Sequence, residues 1–215
     1  MSCFETVKVI SEIALTLVAV IISIIALFQT KKQITLSNKQ QLLDRHINCY
    51  SIIRDLLSVF SCIRKELVDA DDVVKFADNY LSVLLSPQCL REVNNIKELR
   101  FDESLEIRYY GKCEWLGNIA EEIEIVFDNN EAELISEFCK HYGQLLKSIY
   151  FEHNRIIRLP FNTREGLETD NDSAERELLK ANNTIHSLII EIDEIYNDIV
   201  KTNAENKIVK QIRLK

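Results

Sequence analysis

Four histidines, six cysteines and 34 carboxylates are the side chains of this 215-residue chain with the chemistry to bind a metal or move a proton. The histidines are His46, His141, His153 and His186. None lies in an HExxH motif and none has a Glu three residues before it, so the zinc-hydrolase and helical di-iron patterns are both missing. Cys139 and His141 are two apart, which on a helix turns them about 200° from one another. His153 shares a helix face with His141 but sits ~18 Å along it. The cysteines, Cys3, Cys49, Cys62, Cys89, Cys113 and Cys139, form no CxxC pair and no secreted-knot spacing. They are expected to be reduced, buried thiols. No Ser stands in GxSxG, and four glycines in all cannot write a phosphate loop. The expected site therefore contains no catalytic residue, no cofactor and no metal, and the chain is not read as an enzyme.

Two acidic clusters remain, Glu121/Glu122/Glu124/Asp128 and Glu191/Asp193/Glu194/Asp198. Glu191, Glu194 and Asp198 share one helix face and would bind a divalent ion only if another helix matched them; a solvated face is the simpler account. Tyr109, Tyr110 and Trp115 lie beside Arg108 and Lys112, a pattern able to stack a base. Core packing of Tyr109 and Trp115 is the competing and simpler reading. Asp44-Arg45-His46 reads as a salt-bridged polar turn of helix.

The elements that must hold these residues are helices. Gly 4 and Pro 2 are far too few for a sandwich or barrel with many tight turns. With 47% apolar and 28% charged residues the chain is not disordered as a whole, and a formal charge of −8 argues against direct nucleic-acid binding.

From Ile13 to Phe28 the chain reads IALTLVAVIISIIALF, uncharged throughout, with Thr16 and Ser23 its polar members. Sixteen helical residues reach about 24 Å against a hydrocarbon core of ~30 Å, and extension back to Val7 with Lys8 and Glu12 snorkelling completes the span. A buried core helix would show a polar stripe, which this segment lacks. A cleaved signal peptide would carry basic residues at its start, but the first seven residues hold Glu5 and no Lys or Arg, and no small-x-small cleavage site precedes Lys31. The reading is an uncleaved single-pass anchor, with Ile13, Leu17, Val20, Ser23, Ile25 and Phe28 in the bilayer. Lys31, Lys32, Lys39 and Arg45 form the flank behind it. The positive-inside rule then puts the N-terminus outside and residues 30–215 in the cytoplasm.

Beyond the anchor the expected fold is all-α: a transmembrane helix continuing through a polar connector (30–41) into an antiparallel helical bundle (42–202), with a basic tail (203–215). Leu43, Ile47, Tyr50, Ile53, Leu57, Phe60, Ile63 and Leu67 mark one helix face. A short helix over 73–85 follows. Ser86-Pro87 is expected to cap a third helix running to Leu99. Tyr109 to Phe127 carries a fourth. Asp128 and Glu131 suggest a capping box for a fifth, which is expected to end at Leu159-Pro160. After a loop at 160–172, capped by Asp172 and Glu175, positions 178 to 202 step 3 and 4 in strict alternation. A helix packed in the bundle and a homotypic coiled coil both fit that pattern. Residues 67–200 carry thirteen basic and twenty-eight acidic residues, whereas 201–215 carry five and one. The tail is either a frayed helix end or a surface helix lying on the membrane through Ile208, Val209, Ile212 and Leu214.

The run ALFQTKKQITLSNKQQLLDRHINCYSII, with Leu42, Arg45 and Tyr50, resembles the start of a set of uncharacterised bacterial single-pass inner-membrane proteins with a cytoplasmic helical domain. The layout also resembles the small membrane effectors of antiviral, retron-type defence systems. The resemblance implies a membrane effector silenced by a cytoplasmic protein or ribonucleoprotein partner, with the lipid bilayer and further copies of itself as the other partners. A passive tethered adaptor or sensor is the alternative. Topology is directly testable: a reporter active only in the periplasm, fused after Lys215, is expected to be silent, and activity there would place the C-terminus outside.

Overall fold

A computed structural model describes residues 3–127, 130–163 and 171–214. All regular structure among them is helical. The first helix, α1, runs from Cys3 to Val68. It is followed by α2 (Ala77–Leu84), a 3₁₀ segment (Gln88–Val93) and α3 (Ile96–Leu99). Then come α4 (Glu103–Val126), α5 (Asn130–Thr163), α6 (Asn171–Thr202) and α7 (Ala204–Leu214). The chain forms two compact units, residues 1–45 and 46–215.

The first unit is a single helix. No Gly or Pro occurs before Pro87, so nothing in the sequence interrupts α1. The connector expected at 30–41 is helical too. Every described side chain from Leu15 to Arg45 is exposed.

The second unit is a bundle in which α4 and α5, α5 and α6, and α1 and α6 run antiparallel, and the side-chain pairings set these directions. Between α4 and α5, Lys140 reaches Glu124 at 3.0 Å while Tyr109 donates to the Leu146 carbonyl at 2.6 Å. As numbers rise on one helix they fall on the other. Between α5 and α6, Arg155 pairs with Glu177, and Phe138 meets Tyr196 at 6.4 Å. Arg64 of α1 pairs with Asp193, and Phe60 meets Tyr196 at 5.6 Å. The core stripe of α1 starts at His46 and Cys49, and Ile52, Ile53, Leu56 and Phe60 follow it inward. Leu43 and Ile47, expected on that stripe, are 39% and 50% exposed. One face cannot hold both sets, because a helix turns 100° per residue and the buried arc is centred on 49, 53, 56 and 60.

Several local expectations are corrected. Ser86 caps nothing; Pro87, at φ −50° and ψ 142°, is itself the residue before the 3₁₀ segment, where its missing N–H costs no bond. What was expected as one helix to Leu99 is broken between Val93 and Ile96, with Asn94 and Asn95 at the junction. Asp102 caps α4, accepting from the N–H groups of Ser104 (2.9 Å) and Leu105 (3.3 Å). Helix α5 continues to Thr163, past Pro160, so near its end the proline forfeits one backbone bond, to the Ile156 carbonyl. Asp172 lies inside α6 rather than before it. The capping expected of Asp128, and residues 164–170 of the expected loop, lie outside the described residues.

The alternating seam of α6 is spent inside the chain: Ala181, Ile185, Ile192 and Ile199 are buried in the common core. The described part of the basic tail is helical and packs on the bundle through Ala204 and Ile208. Asn203 takes a left-handed φ of 56°, tolerated by Asn, and turns the chain into α7. Ala204 and Ile208 are then fully buried, Lys207 pairs with Glu131, and Tyr50 donates to Glu205 at 3.2 Å.

Glycine use separates two kinds of helix position. A Cβ at Gly143 would stand 2.9 Å from the Cys113 carbonyl oxygen, so this glycine permits the close approach of α4 and α5. At Gly111 a Cβ would meet nothing within 4 Å. Gly143→Ala is expected to destabilise the full chain in detergent by about 1–3 kcal/mol through overpacking. Gly111→Ala should stabilise it by about 0.5–1 kcal/mol through helix propensity. Thermal unfolding followed by circular dichroism measures both, and equal signs would contradict the packing described.

Candidate functional site

The strongest candidate is the apolar span of α1. Among the described residues one helix is long and apolar enough to cross a membrane, and it is near the N-terminus. Within the span Ile13, Leu17, Val20, Ile25 and Phe28 are exposed by 50–71%. A helix that is apolar all round and whose described side chains are all exposed suits hydrocarbon, not water. Its polar groups are satisfied locally. Ser23 donates to the Ala19 carbonyl at 2.8 Å, and Thr30 to that of Ala26 at 2.9 Å. Backbone groups of a helix are already paired, so no unpaired donor is left at these positions to resist transfer into lipid. Lys31, Lys32, Lys39 and Arg45 follow, all exposed.

The residues of the second unit singled out for chemistry are drawn into structure. Tyr109 is fully buried and packs tilted against Tyr150 at 4.8 Å, and Tyr110 packs on both. Trp115 lies apart from them, under Lys112 (5.3 Å to the ring), lining a cleft of about 340 Å³ with Asn48, Asp55 and Cys89. The aromatic-basic patch is therefore two separate features. Glu191 sits 3.6 Å from His141 and Asp198 pairs with Lys201 at 3.1 Å. Among the described residues no group of three or more His, Cys, Asp or Glu is placed to hold a metal ion. Burial pushes the thiols of Cys113 and Cys139 up to about 12 and that of Cys89 up to about 11, so none is a nucleophile at neutral pH. Cys62 departs from the expected burial and is exposed. His46 departs from the expected polar turn: it is buried, edge-on to Phe127 at 5.0 Å.

Two polar networks were not foreseen. Arg64 forks onto Asp193 at 2.6 and 2.9 Å, donates to Asn197 at 2.8 Å, and lies over the Tyr196 ring at 4.7 Å. The i, i+3 and i+4 spacing of Asp193, Tyr196 and Asn197 was a visible signal of one shared face; its arginine, 129 residues away, was not. The second network centres on His153, which is 8% exposed. The Val74 carbonyl can only accept, so the ring donates from Nδ1 at 2.8 Å. Nε2 is then an acceptor, facing Arg100, which also pairs with Asp78. The network ties the turn before α2, α2 itself and the end of α3 to α5.

Comparison with protein-family models, with curated proteins and with solved structures finds no match.

Burial and the Arg100 guanidinium lower the His153 pKa below its usual 6.5, with Asp78 and the Val74 carbonyl opposing. A histidine depressed in the folded state contributes stability above its unfolded pKa and loses it as pH falls through the folded value. The chain is therefore expected to lose stability on acidification below pH about 6.5. His153→Gln keeps an N–H donor for Val74 and should flatten that slope; an unchanged slope would assign the loss to other groups.

Proposed function

We propose that this protein is a membrane-anchored effector of a bacterial antiviral, abortive-infection system of retron-like layout, acting by perturbing the inner membrane. A cytoplasmic protein or ribonucleoprotein bound to residues 46–215 holds it silent, and release of that partner lets the anchors assemble. The N-terminus faces out and the C-terminus stays in the cytoplasm, as Lys31, Lys32, Lys39 and Arg45 require under the positive-inside rule. The observation that carries the reading is the bare apolar span. Eleven Ile, Leu, Val and Phe residues lie between Ile13 and Phe28. At roughly −0.3 to −0.6 kcal/mol each they favour insertion by about 5 kcal/mol. The span is also short for a bilayer, and a short span is relieved by thinning the bilayer or by oligomerising.

The adaptor reading is supported by a different feature, the excess of acidic residues over 67–200, which suits recruitment of a basic-surfaced protein by a passive tether. Induced expression with a membrane-potential dye separates the two. Ser23→Leu preserves insertion but fills the face through which helices approach. For an effector, depolarisation and toxicity should fall several-fold while membrane localisation is unchanged. Depolarisation that survives both this change and a scrambled apolar span, or that never occurs, makes the anchor a tether and the adaptor the better reading.

A further inference from the structure

We infer that residues 15–43 of α1 pair, parallel and in register, with the same segment of a second copy of this chain, forming a two-stranded coiled coil that begins in the bilayer and continues beyond it. The inference rests on reading the apolar span as a membrane anchor. Its basis is a heptad seam. Leu15, Ile22, Gln29, Leu36 and Leu43 recur every seven residues. Ala19, Ala26, Gln33 and Gln40 recur with them at alternating steps of four and three. A 3.5-residue repeat on one unbroken helix is the pattern that winds two helices left-handed around each other.

Among the described residues this seam is exposed. Leu15, Ile22, Leu36 and Leu43 are exposed by 70%, 60%, 57% and 39%. In contrast, the comparable seam of α6 is buried by its own bundle. Between Gln29 and Arg45 the helix has no described side chain in a core, whereas most helical stability in proteins comes from packing one face. A partner helix would supply the burial that makes it stable.

The composition of the seam changes where its solvent changes. In the apolar span one position is Ala twice, which lets two backbones approach where lipid removes the hydrophobic drive and packing must serve. Beyond the span the same position is Gln twice, opposite Leu. A polar residue there costs stability and selects register, since each amide finds its partner only when the copies align.

The charges select a second copy of this chain as the occupant. No charged residue falls on either seam position from Leu15 to Leu43. Lys39 immediately precedes a seam Gln, and Asp44 immediately follows a seam Leu, five residues later. In a parallel in-register pair these are the flanking positions that face each other across the interface, so each Lys39 meets the partner's Asp44, twice per pair. An antiparallel pair would not bring them together. Two copies inserted in one membrane with the same topology are necessarily parallel. Ile34 and Asn38 lie off the seam, on the far side of the helix, and serve as the control face.

The test is oxidative cross-linking of the full chain in membranes, with Cys3 and Cys62 changed to Ser. Leu36→Cys and Leu43→Cys should give disulfide-linked dimers several-fold above Ile34→Cys and Asn38→Cys. Lys39→Glu should lower the Leu36→Cys dimer about threefold, and adding Asp44→Lys should restore it. Equal cross-linking on both faces, or no rescue by the charge swap, would overturn the paired seam. Chain retained after an alkaline wash but without seam dimers refutes the seam alone. Chain released by that wash refutes the anchor reading and the seam with it.

Discussion

The buried circumference of α5 is the constraint on which the rest of residues 46–215 depends. Ile135, Phe138, Cys139, Tyr142, Leu145, Leu146, Ile149 and Tyr150 are all buried. Solvent reaches α5 here along a narrow strip that includes Glu137, Gln144 and Lys147. A helix with so wide an apolar arc must be surrounded, and α1, α2, α4, α6 and α7 are the elements that surround it. Gly143 sets how near α4 comes, and Phe60 and Tyr196 meet Phe138 from two other helices. The short helices depend on α5 in a second way. Tyr142 donates to the Leu84 carbonyl at 2.6 Å and Tyr150 to the Leu99 carbonyl at 3.1 Å. Those carbonyls close α2 and α3, where a helix leaves its last acceptors unpaired. Buried phenols on the central helix thus do for the two short helices what a glycine cap does elsewhere.

Charge in the same region follows burial. His153 is kept neutral by desolvation and by Arg100, so a buried network can exist without an unpaired charge at its centre. Arg64 is half-buried and carries a carboxylate, an amide and a ring, a pairing that takes its order from the planar guanidinium. Carboxylates nearer the surface behave differently. Ser136 and Lys140 lower the pKa of Glu124, and Lys207 lowers that of Glu131, in water that screens such pairs. These surface contacts choose orientation more than they add stability.

The first unit obeys the opposite rule. From Leu15 to Arg45 no described side chain is buried, yet the helix is apolar over its first half. A surface of that kind in water would cost about 25 cal/mol for each Å² of apolar area exposed. In lipid the same surface is satisfied, and the hydroxyls of Ser23 and Thr30 already have their acceptors on the preceding turn. The proposed effector and adaptor roles both begin from this inversion.

The helices and the apolar span could be read from the sequence alone because both are written locally. Periodicity of three and four along Tyr109, Cys113, Leu116 and Ala120 depends on neighbours within two turns, and those residues are buried as that pattern requires. Likewise, sixteen uncharged residues need no partner to be recognised as a span. What only the tertiary structure decided was which surfaces meet. Arg64 and Asp193 are 129 residues apart, and His153 and Val74 are 79 apart; no local spacing joins them. The docking of α7 was hidden for the same reason: Ile208 among lysines looks like a surface helix until α5 offers the groove that buries it. Even the start of the core stripe at His46 rather than Leu43 was decided by Phe127, eighty-odd residues on, against whose ring the imidazole packs. Hydrophobic burial is non-directional, so a sequence can declare that a face is apolar without declaring what will cover it.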